Sequence, residues 1–184
     1  SLHDALPILL GRLGDAAPLD AGVIVSAPLL LEPCSLKLEQ GFSRFYQRYL
    51  LDQLKKNAER KLLAWPGTLP VDLPQLRALR RLRDFDDAIT ARAHGFLDAG
   101  DYYRRASAMP LLKNVRKPLL IIHAKDDPFM TDEVIPQPDR LSASTTYQLT
   151  PHGGHVGFVG GTLRQPQMWL EQRVPQWLTQ WLSS

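Results

Sequence analysis

The chain has 184 residues, 44% of them hydrophobic and 22% charged, with a net charge of +3 at neutral pH. That is enough for one sizeable core and excludes a disordered chain, while the lack of any run of about 18 apolar residues excludes a membrane-spanning helix. The single cysteine, Cys34, excludes an internal disulfide and fits a reducing compartment, so a cytoplasmic location is expected, with Cys34 a buried thiol.

In chain order, residues 1–8 (Ser-Leu-His-Asp-Ala-Leu-Pro-Ile) read as the translated 3′ end of a sequencing adapter, a non-native scar that is set aside from the fold. Leu9 to Leu13, followed by Gly14, predict the end of a helix with a glycine stop. The run from Ala21 to Ala27 is β-branched and apolar on both faces, the pattern of a strand buried in a parallel sheet, and Pro28 ends it. From Leu38 to Trp65 the positions Leu38, Phe42, Phe45, Tyr49, Leu54, Ala58 and Leu62 recur at helical spacing, giving an amphipathic helix or a helix pair. Pro66-Gly67, Pro70 and Pro74 break it, Leu76, Leu79 and Leu82 start another helix, and mostly helical sequence continues to Met109-Pro110. This excursion is far longer than a βα crossover needs, so residues 35–110 are expected to be an inserted helical cap. Residues 9–34 and 111–184 then form the core.

Pro118 to Ala124 predict the second buried strand and Thr145 to Thr150 the third, with a helix between them. A glycine-rich loop from Gly153 to Gly157 follows. Trp169 to Leu182 place Trp169, Leu170, Val174, Trp177, Leu178 and Trp181 on one side of a terminal helix that docks on the sheet. The layout is α/β with parallel strands.

Charge is uneven. Between Ser35 and Pro110 there are 14 Lys and Arg against 9 Asp and Glu, and elsewhere 8 against 10. Arg80, Arg81 and Arg83 are followed closely by Asp84, Asp86 and Asp87, as on a solvated helix face, so no nucleic-acid partner is expected.

The chemistry-bearing residues follow the second and third strands. Asp126-Asp127-Pro128 leaves the second, and His152-Gly153-Gly154-His155 leaves the third. In parallel α/β sheets, loops at the carboxyl ends of strands carry function, and an acid and a histidine there can meet despite their separation in sequence. A histidine that accepts a proton from a serine needs a carboxylate on its other nitrogen to set the tautomer and stabilise the cation. Each piece alone has a plainer meaning. Asp126-Asp127-Pro128 is also a turn starter, and His123, on an apolar strand, reads as a core histidine. His123, Asp126, Asp127, His152 and His155 together suggest a metal site, but no helix-borne histidine pair and no cysteine assist, so no metal is expected. No cofactor is expected either.

Several separated motifs resemble the YheT-like α/β-hydrolases. They are Phe85-Asp86-Asp87-Ala88-Ile89-Thr90, His94-Gly95-Phe96, Asp101-Tyr102-Tyr103-Arg104, Ser107, Pro118 through Phe129, and Gly153-Gly154-His155-Val156-Gly157-Phe158. The resemblance implies the C-terminal part of an α/β-hydrolase sheet, its last three parallel strands, with an inserted helical cap. It also implies serine carboxylesterase activity on short-chain or monoacyl esters, with Asp127 as the acid and His155 as the base. Such a hydrolase takes a small-molecule ester and has room for peripheral lipid contact. The family's nucleophile stands on a Gly-x-Ser-x-Gly elbow, and this chain has none: Ser26, Ser35, Ser43 and Ser107 lack the flanking glycines. The 184-residue chain alone is therefore expected to be inactive. The competing reading is a non-catalytic binding domain that uses the helical segment from Leu36 to Met109.

Overall fold

A computed structural model describes residues 2–162 and 165–181. Its elements, in order, are helix α1 (Leu2–Leu13), strand β1 (Gly22–Val25), helices α2 (Leu31–Leu38), α3 (Ser43–Ala64), α4 (Leu73–Ala78), α5 (Leu82–Phe85) and α6 (Ala99–Arg105), strands β2 (Leu119–Ala124), β3 (Thr145–Thr150), β4 (Val159–Thr162) and β5 (Gln165–Met168), and helix α7 (Trp169–Leu178). They divide into two compact units: Leu30–Ala106 forms one, and the chain up to Leu29 and from Ser107 onward forms the other.

The second of these holds a three-stranded parallel sheet in the order β1-β2-β3. Gly22 pairs with Leu119 and Val25 with Ile122; on the other side Leu119 pairs with Thr145 and Ala124 with Thr150. All six residues of β2 are buried, which is why Leu-Leu-Ile-Ile carries no polar alternation. Burying each such side chain stabilises by roughly 1.5–3 kcal/mol. On one face Leu120, Ile122 and Ala124 pack with Phe158 and Trp177, and α7 adds Trp169, Leu170, Val174 and Leu178. On the other, a Cβ at Gly22 would lie 3.2 Å from Leu6 and 3.4 Å from Leu10, so α1 packs closely on β1 there. Helix α1 also lies on the turn over Met109–Asn114 so closely that a Cβ on Gly11 would fall 2.6 Å from the Leu111 carbonyl oxygen. It stops at Gly14, whose φ of +53° is the left-handed stop the sequence predicts.

Four features depart from the sequence reading. The stretch between β2 and β3 holds only two short 3₁₀ turns, Asp132–Val134 and Pro138–Arg140, rather than a helix. Pro128, Pro136 and Pro138 deny it the amide donors and backbone freedom a helix needs. Helix α7 ends at Leu178, with a turn reaching Trp181; Leu182 lies outside the described residues. Strands β4 and β5 form an antiparallel hairpin that the sequence reading did not contain. Helix α1 begins within the segment set aside as a scar.

Where one helix or a pair was expected over residues 38–65 there is a single long helix, α3, parted from the preceding α2 at Gly41, with φ +51°. Leu51, Ala58, Leu62, Leu76, Phe85 and Ile89 form the core of the helical unit. Asp72 caps α4 by accepting from the Gln75 amide while the Gln75 side chain accepts from the Asp72 amide. Asp86 accepts from Tyr103 Oη at 2.7 Å and from Thr90 Oγ1 at 2.9 Å, and Tyr103 Oη also meets Ser35 Oγ at 3.1 Å. Asp87 accepts from the Ala99 amide. The Phe-Asp-Asp and Asp-Tyr-Tyr-Arg motifs thus tie a π-type turn at Asp86–Ala91 to α6 and α2. Burial raises the Asp86 carboxyl above the usual carboxylate range. Of the charges expected on one solvated face, Arg81 pairs with Asp84, whereas Arg83 pairs with Glu32 and Asp86 and Asp87 turn to Tyr103 and the Ala99 amide. Among the described residues no helix is long and apolar enough to cross a membrane.

Candidate active site

Strand β2 delivers its last residue, Ala124, to the carboxyl edge of the sheet, and the Lys125 amide extends the pairing by donating to the Thr150 carbonyl at 2.9 Å. Asp127 then closes a tight turn. Its Oδ1 accepts from the Phe129 amide at 2.9 Å, a side-chain-to-backbone turn of the kind aspartate favours. Its Oδ2 faces His155 Nδ1 at 2.9 Å. The Asp127 side chain is 0% exposed and that of His155 33% exposed.

The histidine arrives from β3. That strand ends at Thr150, whose hydroxyl donates to the His123 carbonyl, and the chain turns through His152, Gly153 and Gly154. Gly153 has no room for a side chain: a Cβ would lie 2.7 Å from the Phe158 ring and 2.9 Å from Ala124 Cβ. Gly154 takes φ +57°, a conformation glycine adopts at little cost. The Phe129 ring stands edge-on to the imidazole, centroids 4.8 Å apart, and limits its rotation.

This geometry sets a proton pattern. A carboxylate only accepts, so Nδ1 of His155 carries the hydrogen, and in the neutral ring the Nε2 lone pair is open. Nε2 has no hydrogen-bond partner among the described residues. The arrangement leaves an oriented imidazole whose Nε2 can accept a proton.

Of the other candidates, Asp126 turns away from the imidazole; its Oδ1 accepts from the Gly154 amide at 2.8 Å, and its Oδ2 lies 3.5 Å from His152 Nδ1. The Gly154 amide, with smaller backbone contributions, holds the Asp126 carboxyl below the usual carboxylate range. His152 is 89% exposed. His123 is a core residue, 1% exposed, with Nε2 3.0 Å from the Ala27 carbonyl and Nδ1 3.2 Å from Tyr147 Oη. The carbonyl only accepts, so His123 carries its hydrogen on Nε2 and takes the tyrosine hydroxyl on Nδ1. Burial holds its pKa down at about 4 and lifts the Tyr147 phenol to about 12. Among the described residues no group of three or more His, Cys, Asp or Glu is arranged to hold a metal ion. Sequence reasoning missed the Asp126–Gly154 bond and the Phe129 contact, since both depend on the path of the loop. Ser26, which lacks the flanking glycines of an elbow, is buried at φ +52° with no partner for its hydroxyl among the described residues.

A sheet of this order with an acid and a histidine on adjacent strand ends defines a class, and the comparisons agree: the α/β-hydrolase fold model matches residues 16–162. The chain belongs to the α/β-hydrolase family. The YheT-like resemblance of its motifs is met by 63% identity over 179 residues to "Putative esterase YheT" of Escherichia coli (strain K12), covering 97% of this chain and 53% of that protein. It is also 31% identical over 145 residues to monoacylglycerol lipase ABHD2 of Danio rerio (74% of this chain, 34% of that protein). With phospholipase ABHD3 of Homo sapiens the identity is 28% over 173 residues, covering 92% of this chain and 41% of the relative. The chain spans about half the length of the curated relatives it matches. No solved structure matches it.

Proposed function

We propose that this chain supplies the acid, Asp127, and the base, His155, of a serine esterase whose nucleophile stands outside these 184 residues. The observation that carries the reading is the 2.9 Å contact between a fully buried carboxylate and a part-exposed imidazole at the carboxyl edge of a parallel sheet. In the reaction, Nε2 of His155 takes the serine hydroxyl proton as the oxygen attacks the acyl carbonyl, and Asp127 stabilises the imidazolium. The same proton then passes to the leaving alcohol, and water repeats the sequence to free the acid. The substrate class is a short-chain or monoacyl carboxylic ester; the names of two relatives, an esterase and a monoacylglycerol lipase, support an ester substrate. We read the helical unit Leu30–Ala106 as the inserted cap of that fold.

The test is a chimera that joins this chain to the part of the E. coli relative it does not match. The chimera is expected to bind a fluorophosphonate probe and hydrolyse p-nitrophenyl butyrate, and the 184-residue chain alone to do neither. Asp127→Asn is expected to lower kcat by about 10⁴-fold, and His155→Ala by at least as much, since triad members act as a unit. Stoichiometric labelling of the chain alone, or full activity of His155→Ala, would sink the proposal.

A further inference from the structure

The two adjacent aspartates do different work. Asp127 is buried against the imidazole, whereas Asp126 has a side chain 44% exposed that reaches across to the other loop. There its Oδ1 takes the amide hydrogen of Gly154, the residue directly before His155. Gly154 sits at φ +57°, outside any regular ladder, so its amide has no strand to bond to. On its other side the loop is held by the Phe158 amide on the Gly153 carbonyl, at 2.9 Å. The imidazole therefore hangs from a short turn pinned at one end by Phe158 and at the other by Asp126. The other side of the Asp126 carboxylate faces His152, whose Nδ1 lies 3.5 Å from Oδ2.

We propose that Asp126 is a positioning residue for His155: its carboxylate anchors the Gly154 amide, and with it the turn that delivers the imidazole to Asp127. The inference rests on the acid–base reading of that pair, yet it can be tested without turnover. Removing the acceptor frees an amide that nothing else in the loop engages.

The experiment is hydrogen exchange by mass spectrometry on the full chain, following the Gly154 amide and the slower imidazole Cε1–H of His155, with exposed His94 as the internal reference. In Asp126→Ala both sites are expected to exchange faster, by about threefold to tenfold at Gly154. Asp126→Asn keeps an oxygen acceptor and is expected to stay within about twofold of the parent. Unchanged exchange in Asp126→Ala overturns the proposal. So does an Asp126→Asn variant as fast as Asp126→Ala, because the acceptor would then not be what matters. Global unfolding of Asp126→Ala overturns it as well, since an exposed loop anchor has no part in holding the sheet. If His155 in the parent chain exchanges as fast as His94, the Asp127 contact itself is not held, and the acid–base reading fails rather than this one.

Discussion

Protonating His123 is harder in the folded chain than in the unfolded one. Its ordinary pKa is 6.5, and burial between Ala27 and Tyr147 lowers it to about 4. An unfolded chain therefore binds a proton between about pH 6.5 and 4 that the folded chain refuses. Stability present above pH 6.5 is lost as the pH falls towards 4, and urea midpoints measured across that window are expected to decline accordingly. In His123→Asn the slope should flatten; an unchanged slope would assign the acid sensitivity to other groups. Much at this scale was readable in advance. His123 stood inside an unbroken apolar run, and an aspartate pair and a Gly-Gly-His followed two strand-like segments. What the sequence could not decide by spacing was which aspartate faces the ring, because both lie in one turn. The Phe129 amide on Asp127 Oδ1 settles it by fixing that side chain's direction.

At the scale of elements, the strands were the most legible part, since Val-Ile-Val and Leu-Leu-Ile-Ile leave no polar face to present to water. The terminal helix was legible from its tryptophans, though Pro175 inside it gave no warning of where it would end. The expected helix between β2 and β3 failed because length and topology argued for it while three prolines argued against, and local chemistry prevailed. The β4–β5 hairpin was invisible: all eight of its strand residues are exposed, so no burial imposed an alternating pattern. Helix α7, in contrast, is coupled to the sheet by Trp177, buried beside Leu120 and Ile122. Trp177→Ala is expected to cost about 3–5 kcal/mol, read as a lower urea midpoint at unchanged slope. A loss under 1 kcal/mol would mean that α7 is not part of the cooperative unit.

For the whole molecule, the sheet order β1-β2-β3 puts β1 at one edge. The amides of Gly22 and Ser26 donate to the carbonyls of Pro118, just before β2, and Ile122 within it, so by the alternation of a parallel ladder those of Val23 and Val25 face the other way. Among the described residues no strand meets them. Such an edge invites pairing with a second copy. Sedimentation velocity is expected to show concentration-dependent association of this chain, relieved in the chimera; a monodisperse monomer at every concentration would refute it.

The hairpin has a different meaning at this scale. The chain leaves the core at Phe158 and returns at Trp169, where the Trp169 amide meets the Phe158 carbonyl at 3.1 Å and the two rings stack 5.9 Å apart. Exit and entry are therefore already sutured below the excursion, and the ten residues between them begin and end at one point in space. That makes the neck a natural splice site. A reporter or a second domain threaded there would inherit two ends already brought together, and would leave the Asp127–His155 pair on the near side of the stitch.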